Sequence, residues 1–356
     1  MQANPVLVQA LRGGIVESAH RGAVAVVDAD GALRLQIGDI DRAVFPRSAI
    51  KVLQALPLVA SGAAERWGLV DAELALACAS HGGEPRHVEA AAAMLAKAGV
   101  DASVLECGVH WPSHDASLKA LAAAGTPPTA LHNNCSGKHA GFVCLGCLMA
   151  NAVGSTGAAD ARTFLRGYVR PEHPVMREVG AAIEAATGND LARTAVGTDG
   201  CSIPTYAIPL RRLALAFARV GSGVGLSEGH ARAARRLRAA VAAAPYMVAG
   251  TGRFDTRVME RLGERVFCKV GAEGVHCAAL PELGLGVAVK IDDGNNARAC
   301  EVAMAALIEC LLPLADADAA FLRGLSDLRL SNWNGLEVGR LQATPALRKH
   351  DGRPPA

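Results

Sequence analysis

Phe45-Pro46-Arg47-Ser48-Ala49-Ile50-Lys51 is the stretch at which the sequence changes from extended to helical patterns. Before it, residues 5–38 contain short runs with turn signals, and apolar and polar side chains alternate from Leu33 to Ile37, which predicts an antiparallel meander with one buried face. After it, apolar residues at helical spacing predict a mainly buried helix from Ser48 to about Ala63. Pro46 suits the entry to that helix.

The remaining chain is predicted to be helical in its middle and extended again near its end. Strands are expected at 266–270, 275–280 and 285–291, followed by a helix at about 297–312. Candidate helices of the middle region cover residues 71–79, 85–98, 115–124, 138–152, 173–187, 208–219 and 227–243.

Strands at both chain ends around a helical middle predict an α+β fold, in which an antiparallel sheet combines N- and C-terminal strands. We expect one catalytic domain over residues 1–345 and a loose polar tail at 346–356. Within that domain, the sheet regions are expected at about 1–45 and 246–312 and the helical region at about 46–245.

Composition excludes several classes of protein. The chain has 356 residues, of which 51% are hydrophobic, enough to bury a substantial core. A formal charge of +2 argues against nucleic acid as a partner. The first residues lack the pattern of a signal peptide, and no apolar run is long enough to span a bilayer. Ten cysteines without the spacing of a disulfide framework therefore predict reduced thiols in a cytoplasmic protein.

Ser48 and Lys51 form an S-x-x-K motif at the start of the first predicted helix. At this spacing an amine can lie beside a hydroxyl, and an unprotonated lysine can take the proton of the serine. Serine at a helix start is also a common N-cap, and short motifs of this kind occur by chance. Lys51 is harder to explain in this way, because a lysine on an otherwise apolar helix must reach solvent, find a partner or lose its proton.

Two further segments carry residues that can reach a cleft. Cys78-Ala79-Ser80-His81-Gly82-Gly83-Glu84 leads from an apolar run into a glycine-rich turn, where Ser80 and His81 have either a functional role or the roles of a turn serine and a surface histidine. Lys269 ends a predicted strand and is followed by small residues, so it either lines a cleft or is an exposed strand-end lysine. Lys290 is a rival candidate for that role.

Two cysteine-containing segments suggest a metal site. In His132-Asn133-Asn134-Cys135-Ser136-Gly137-Lys138-His139, the i, i+4 spacing of Cys135 and His139 can bind a metal if the turn is helical, and the alternative is a helix cap with a half-buried thiol. In Gly197-Thr198-Asp199-Gly200-Cys201-Ser202, Cys201 offers a second thiolate and Asp199 a carboxylate for a substrate amino group. This segment is otherwise a tight turn.

Several motifs in this order closely resemble the L-asparaginase II family, the class 3 or rhizobial-type asparaginases. The similarity spans roughly residues 5–300. The motifs that carry it are Pro46-Arg47-Ser48-Ala49-Ile50-Lys51, Ser80-His81-Gly82-Gly83-Glu84, Asn133-Asn134-Cys135-Ser136-Gly137-Lys138-His139, Asp199-Gly200-Cys201-Ser202 and Lys269-Val270-Gly271-Ala272-Glu273-Gly274.

The resemblance implies a β-lactamase-like fold, a homodimer and the hydrolysis of L-asparagine to L-aspartate and ammonia. It also implies two serine-lysine pairs, Ser48 with Lys51 and Ser80 with Lys269. The family binds one zinc ion through two cysteines and a lysine, which correspond here to Cys135, Lys138 and Cys201, with water as a possible fourth ligand. The residues alone would favour His139 over Lys138, because lysine is normally protonated.

The resulting hypothesis is acyl transfer in asparagine catabolism. Ser48 attacks the side-chain carboxamide with Lys51 as base, and ammonia leaves after protonation through Ser80 and Lys269. Ser80 is the alternative nucleophile. The substrate-binding candidates are Asp199 for the α-ammonium, Arg47 for the α-carboxylate, and His81 and Gly200. Zinc is expected to organise the pocket rather than to hydrolyse the amide.

Two other functions fit parts of the sequence. One is a penicillin-recognising serine hydrolase or another amidase, because S-x-x-K and a late K-x-G also occur in serine β-lactamases. The S-x-N element of that group is not evident, and Ser80 follows Ser48 by only 32 residues, which argues against β-lactam chemistry more than against amide hydrolysis. The other is a non-catalytic, zinc-bearing amino-acid-binding protein.

Overall fold

The structure is a computed structural model that describes residues 3–152 and 157–348. Its strands are β1 (Val6–Arg12), β2 (Ile15–Asp28), β3 (Leu33–Ile37), β4 (Ala43–Val44), β5 (Val196–Thr198), β6 (Pro204–Tyr206), β7 (Ile208–Pro209), β8 (Phe267–Val270), β9 (Val275–Leu280), β10 (Leu285–Ile291), β11 (Asp327–Ser331) and β12 (Glu337–Ala343).

The α-helices are α1 (Lys51–Ala60), α2 (Ala63–Arg66), α3 (Asp71–Ala77), α4 (Pro85–Lys97), α5 (Asp115–Ala123), α6 (Ser136–Ala152), α7 (Ala158–Leu165), α8 (Pro174–Thr187), α9 (Leu210–Ser222), α10 (Glu228–Ala243), α11 (Tyr246–Ala249), α12 (Phe254–Leu262), α13 (Glu301–Leu311), α14 (Asp316–Ser326) and α15 (Pro345–Arg348). A 3₁₀ turn spans Arg47–Ile50, and a π-helical turn spans Asn296–Cys300. Among the described helices, none combines the length and apolar character needed to cross a membrane.

The described residues pack into two compact units. Unit 1 contains residues 3–49, 208–222 and 268–348. Unit 2 contains residues 50–152, 157–207 and 223–267. Each unit is therefore assembled from segments that are distant in sequence. The expectation of one catalytic domain over residues 1–345 stays a prediction.

Unit 1 is built on an antiparallel sheet in which the strand order is β11-β12-β1-β2-β10-β9-β8, with β3 also paired to β2. The first half of β2 pairs with β1, and its second half pairs with β10 and β3. Gly22 lies where β2 changes partners. A Cβ at Gly22 would stand 2.3 Å from the Lys290 carbonyl oxygen, so only glycine permits this close approach of the strands.

Helix α9 packs closely on the central strands of this sheet. At Gly286 in β10, a Cβ would stand 1.9 Å from the carbonyl oxygen of Ala214 in α9, so glycine allows the helix backbone to contact the strand. Every residue of β9 is buried. A strand without an exposed residue must be covered on both faces, and this places the core of unit 1 around β9 and β10.

Unit 2 is the helical unit, and α1 runs through its core. All residues of α1 except Ala60 are buried, including Lys51. Helix α6 is likewise buried on all sides from Ser136 to Cys147. A helix that is apolar all round belongs in a protein interior, so a lysine in such a helix requires specific partners.

The predicted α+β class, with an antiparallel sheet of N- and C-terminal strands and a helical middle, is confirmed. The strands 275–280 and 285–291 have the predicted bounds. The extended runs on either side of Gly22 form one strand instead of two, because β2 continues through the change of partners.

Three local differences from the sequence-based expectations are found. The first α-helix begins at Lys51 rather than at Ser48, because Ser48 lies in the 3₁₀ turn Arg47–Ile50 that precedes it. Residues within 246–262 are helical instead of extended. Strands β11 and β12 were not predicted, because most of their residues are exposed or half-buried and form no apolar stripe in the sequence.

The tail predicted to be loose from residue 346 is helical at its start, where α15 continues to Arg348. Residues 349–356, which make up the rest of that predicted tail, lie outside the described residues.

Candidate active site

The amine of Lys51 is the centre of a buried polar cluster in unit 2. The lysine has no exposed surface. Its Nζ donates to the carbonyl oxygen of Ala79 at 2.5 Å and to Ser80 Oγ at 2.9 Å. It lies 3.1 Å from Cys135 Sγ and, more weakly, 3.5 Å from the carbonyl oxygen of Asn134. Four protein groups thus surround the amine.

Burial lowers the pKa of Lys51 below its ordinary value of 10.5, although the neighbouring thiol of Cys135 opposes this shift. Removal of a cation from water favours its neutral form. A neutral amine beside a hydroxyl can accept the hydroxyl proton. The contact between Lys51 and Ser80 therefore has the geometry and the electrostatics of a proton-transfer pair.

The loop after α3 presents Ser80 to this amine. The Ser80 N–H donates to the carbonyl oxygen of Val248 at 2.8 Å, which fixes the loop backbone. The next side chain, His81, is only 1% exposed. Its Nδ1 accepts from the Gly83 N–H at 3.1 Å, so its proton lies on Nε2, which donates to Ser136 Oγ at 3.0 Å. Both ring nitrogens of His81 are therefore occupied within the loop and α6.

Two thiols and a second lysine lie next to Lys51. Lys138 in α6 is 1% exposed, and its Nζ lies 3.0 Å from Cys201 Sγ. Cys135 and Cys201 share a hydrogen bond. That bond and the two lysines hold the pKa of Cys135 well below its ordinary value, while the same bond raises the pKa of Cys201. The two lysines thus favour a thiolate in this pair of cysteines.

A tight turn brings Cys201 to this position. The Ser202 N–H donates to the Asp199 carbonyl oxygen at 2.9 Å, and Asp199 Oδ1 accepts from the Gly200 N–H at 2.7 Å. Ser202 has a left-handed φ of 75°, which turns the chain and leaves the Cys201 side chain buried. The Asp199 carboxylate contributes to raising the pKa of Lys138, so it acts on the same cluster.

His139, the alternative ligand, has a partner at one ring nitrogen, whereas its Nε2 has no hydrogen-bond partner among the described residues. Its Nδ1 lies 2.7 Å from the hydroxyl of Tyr168, and that hydroxyl also accepts the Glu106 N–H. The Tyr168 proton is therefore directed to Nδ1, and the His139 proton lies on Nε2. Lys138 is favoured as the third donor because its Nζ lies 3.0 Å from Cys201 Sγ.

The donor set in unit 2 suits zinc. Two sulfur atoms and one nitrogen converge on one place, and thiolates are preferred zinc ligands. The hydrogen bond with Cys201 and the two lysines lower the pKa of Cys135, which favours the thiolate form that a metal binds. Lys138 must lose its proton to bind a metal, and a divalent cation can displace that proton as it does the proton of a thiol. The residues present thus fit the zinc site that the resemblance implies.

Unit 1 contains a second pair of zinc-type side chains. Cys268 in β8 and His276 in β9 are both buried, and their ligand atoms lie within 4.8 Å of each other. The sequence offered no sign of this pair, because the two residues meet only through the pairing of neighbouring strands.

The other predicted catalytic residues belong to unit 1. Ser48 is half-buried in the 3₁₀ turn. A Cβ at Gly271 would stand 2.5 Å from the Pro46 carbonyl oxygen, so the end of β8 packs directly against the turn that carries Ser48. Lys269 in β8 is fully buried, and its Nζ donates to the Val270 carbonyl oxygen at 2.7 Å. It is therefore not an exposed strand-end lysine.

The structure brings five predicted site residues into the unit 2 cluster, and these are Lys51, Ser80, Cys135, Lys138 and Cys201. The sequence-based pairing joined Lys51 to Ser48 and Ser80 to Lys269, whereas the described contact joins Lys51 to Ser80. Spacing could not reveal this contact, because the two residues lie 29 positions apart. The Ala79 carbonyl, a backbone group without a sequence signal, was also missed.

Comparison with protein families gives the class and then the family. The class is that of asparaginase-type hydrolases, because the family model described as L-asparaginase II matches residues 8–343. The chain belongs to the L-asparaginase II family. None of the curated proteins compared with the chain matches it.

Two solved structures show weak similarity to the chain. One is a crystal structure of Mglu, with 14% identity and a TM-score of 0.34, and the match covers 79% of this chain and 64% of that chain. The chain thus spans less than two thirds of the length of Mglu. The other is a β-lactamase from Mycobacterium bovis, with 15% identity and a TM-score of 0.34, and the match covers 85% of this chain and 94% of that chain.

Proposed function

We propose that the protein hydrolyses L-asparagine to L-aspartate and ammonia by acyl transfer to a serine. Membership of the L-asparaginase II family supports the substrate. The observation that carries the chemistry is the buried contact of 2.9 Å between Lys51 Nζ and Ser80 Oγ. A lysine with a lowered pKa beside a hydroxyl is an arrangement suited to moving protons during acyl transfer.

In the proposed reaction, Ser48 Oγ attacks the carboxamide carbon and forms a C–O bond, while the neutral Lys51 amine takes the hydroxyl proton. Backbone N–H groups stabilise the oxyanion. The C–N bond then breaks, and ammonia leaves with a proton supplied by the Lys51 and Ser80 pair. Lys269 is proposed as the second lysine of this proton transfer. Water next cleaves the aspartyl ester, releases L-aspartate and restores the serine hydroxyl.

The substrate-binding residues are also proposals. Asp199 offers a carboxylate for the α-ammonium group, with Gly200 beside it, and Arg47 offers a guanidinium for the α-carboxylate. His81 is proposed to act by holding the loop of Ser80, because its two ring nitrogens already bind Gly83 and Ser136.

We also propose one zinc ion held by Cys135, Lys138 and Cys201. When bound, the ion would supply positive charge that fixes both sulfur atoms as thiolates and keeps the Lys138 amine neutral. These three residues are the buried cluster next to Lys51, which supports an organising role over a hydrolytic one. A homodimer, which the resemblance implies, and a cytoplasmic location, which the cysteine pattern predicts, complete the proposal.

The experiment is an ammonia-release assay with L-asparagine on the wild type, Ser48→Ala and Ser80→Ala. Exposed Ser331 provides a control in Ser331→Ala. We expect loss of activity in both site variants and full activity in the control. Absence of ammonia from the wild type would rule out the proposed function.

The same proteins identify the nucleophile. Rapid quenching during turnover followed by peptide mass spectrometry should find the aspartyl ester on Ser48 in the wild type and in Ser331→Ala. An ester found on Ser80 would assign the nucleophile to Ser80 and leave the hydrolase assignment unchanged.

A further inference from the structure

The loop Ser80–Glu84 is attached at both ends to one neighbouring piece of chain in unit 2, the Tyr246–Thr251 segment. At its first residue, the Ser80 N–H donates to the Val248 carbonyl oxygen at 2.8 Å. At its last, Glu84 Oε1 accepts the Thr251 N–H at 2.9 Å, and Glu84 Oε2 accepts the Thr251 hydroxyl at 2.5 Å. Ser80, which contacts Lys51, is therefore one of the two residues that attach the loop to this segment.

Glu84 is a buried carboxylate whose hydrogen bonds come largely from this segment. The residue is 4% exposed. Burial alone would raise its pKa, but the hydrogen bonds from Thr251 and from Tyr246 lower it overall, so the carboxylate is ionised. His114 Nδ1 lies farther away, at 3.8 Å. A buried carboxylate is costly without donors, so Glu84 and the Tyr246–Thr251 segment depend on each other.

A stack of rings makes a second connection between the two pieces. Tyr246 stacks on His87 with a centroid distance of 4.8 Å, and His87 stacks on His81 at 4.7 Å. His87 Nδ1 accepts the Glu84 N–H at 3.3 Å, and its Nε2 donates to the Tyr246 carbonyl oxygen at 3.2 Å. The stack ends at His81, the residue that follows Ser80.

Gly250 allows the segment to approach the carboxylate. Its backbone has φ 104° and ψ −170°, a conformation that is essentially restricted to glycine. A Cβ at this position would stand 2.2 Å from Glu84 Oε1 and 3.2 Å from His87 Cε1. Any side chain at residue 250 would therefore displace the Glu84 carboxylate.

We propose that Glu84 is a positioning residue for Ser80. Its carboxylate holds the Tyr246–Thr251 segment, the Val248 carbonyl of that segment fixes the Ser80 backbone, and Ser80 Oγ is thereby kept against the Lys51 amine. This role rests on the proposed function, because it matters for activity only if Ser80 takes part in the reaction. Gly250 contributes to the same positioning, because it lets the Tyr246–Thr251 segment approach the Glu84 carboxylate.

The kinetic test compares Glu84→Ala, Glu84→Gln and Gly250→Ala with the wild type. We expect kcat to fall about 10- to 100-fold in Glu84→Ala and Gly250→Ala with little change in KM, because displacement of a reacting group by about 1 Å costs this much. Glu84→Gln should recover part of the loss, since its amide oxygen can still accept the Thr251 N–H. The matched control is Glu89→Ala, which changes an exposed glutamate of α4, the helix that follows Glu84, and should retain wild-type kinetics.

Hydrogen–deuterium exchange supplies a readout that does not require turnover. In Glu84→Ala the amides of Ser80–Glu84 should exchange faster, while those of α1 and of the unit 1 sheet should remain as in the wild type. If kcat and exchange are both unchanged in Glu84→Ala, the proposal is wrong. It is equally wrong if exchange rises throughout the protein and activity falls only with the folded fraction.

The two proposals can fail separately. If the wild type releases no ammonia, the proposed asparaginase function is wrong. Amide exchange of the Ser80–Glu84 loop still shows whether Glu84 holds that loop. If the wild type is active and Glu84→Ala has unchanged kinetics and exchange, only the positioning role of Glu84 is wrong.

Discussion

Lys51 and Lys138 have similar surroundings but opposite electrostatics. Both lie in the first turn of a buried helix of unit 2, with exposed fractions of 0% and 1%. Both amines touch a thiol, with Lys51 3.1 Å from Cys135 and Lys138 3.0 Å from Cys201. Yet the pKa of Lys51 is lowered and that of Lys138 is raised.

The partners explain the difference. Burial lowers the pKa of both lysines. For Lys51, the charge of Lys138 lowers it further, and the thiols of Cys135 and Cys201 do not offset the two effects. For Lys138, the thiols of Cys135 and Cys201 and the Asp199 carboxylate outweigh burial. The comparison teaches that burial alone does not make a base. A buried lysine can act as a base where its neighbours do not stabilise the protonated amine.

The largest expected effect is that of Lys51→Met. Loss of the base should lower kcat for ammonia release about 10²- to 10⁴-fold. The thermal midpoint should be kept or raised, because burial disfavours the charged amine of Lys51 in the folded state. A steady-state ammonia assay and a thermal melt of the same preparation measure the two quantities.

Lys119→Met is the control for this variant, since its side chain is 72% exposed. It should behave as the wild type in both measurements. Activity above about a tenth of the wild type in Lys51→Met would exclude Lys51 as the base, given the usual contribution of such a group.

The second prediction concerns zinc. Lys138→Met should lower zinc affinity at least about 10- to 100-fold, the usual cost of disturbing even an outer-shell partner of a metal. Elemental analysis of the purified protein, followed by titration with a competing chelator, measures the affinity. Its effect on kcat should be smaller than that of Lys51→Met, because the proposed zinc organises the pocket.

His139→Gln is the matched variant for the adjacent position. It should keep zinc, because His139 Nδ1 faces Tyr168 rather than the cysteines. Zinc lost from His139→Gln and kept in Lys138→Met would reverse the ligand assignment.

The sequence predicted elements more reliably than contacts. Local periodicity was sufficient for strands such as Val275–Leu280 and for the buried helix that carries Lys51, because both patterns are contained in consecutive residues. The edge strand β11 escaped prediction, because it is stabilised by pairing with β12 and not by a buried stripe of its own.

The candidate site shows the same limit. The i, i+4 spacing of Cys135 and His139 predicted a metal site from local sequence, and the family resemblance implied Lys138 in place of His139. The contact of Lys51 with Ser80, the support from Glu84 and the close fit of Gly250 join residues that are distant in sequence. Such contacts arise from tertiary packing, which a single sequence does not encode as a local pattern.

The smallest expected effect comes from Gly137→Ala, which acts on both lysines at once. Gly137 precedes Lys138, and a Cβ there would stand 2.5 Å from the Leu76 carbonyl oxygen and 2.3 Å from Leu76 Cγ. The same carbonyl accepts the Ala79 N–H at 3.0 Å, and the Ala79 carbonyl accepts from Lys51. We therefore expect a loss of about 1–3 kcal/mol in the free energy of unfolding from overpacking, together with modest decreases in both kcat and zinc affinity.

Gly229→Ala is the control, because a Cβ on that residue of α10 meets no heavy atom within 4 Å. It should raise the free energy of unfolding by about 0.5–1 kcal/mol, since alanine favours a helix over glycine. Urea unfolding, chelator titration and ammonia release on both variants make the measurement. If Gly137→Ala lowers zinc affinity while leaving kcat at the wild-type value, the two lysines respond independently. The metal cluster and the serine–lysine pair would then not be coupled through Leu76.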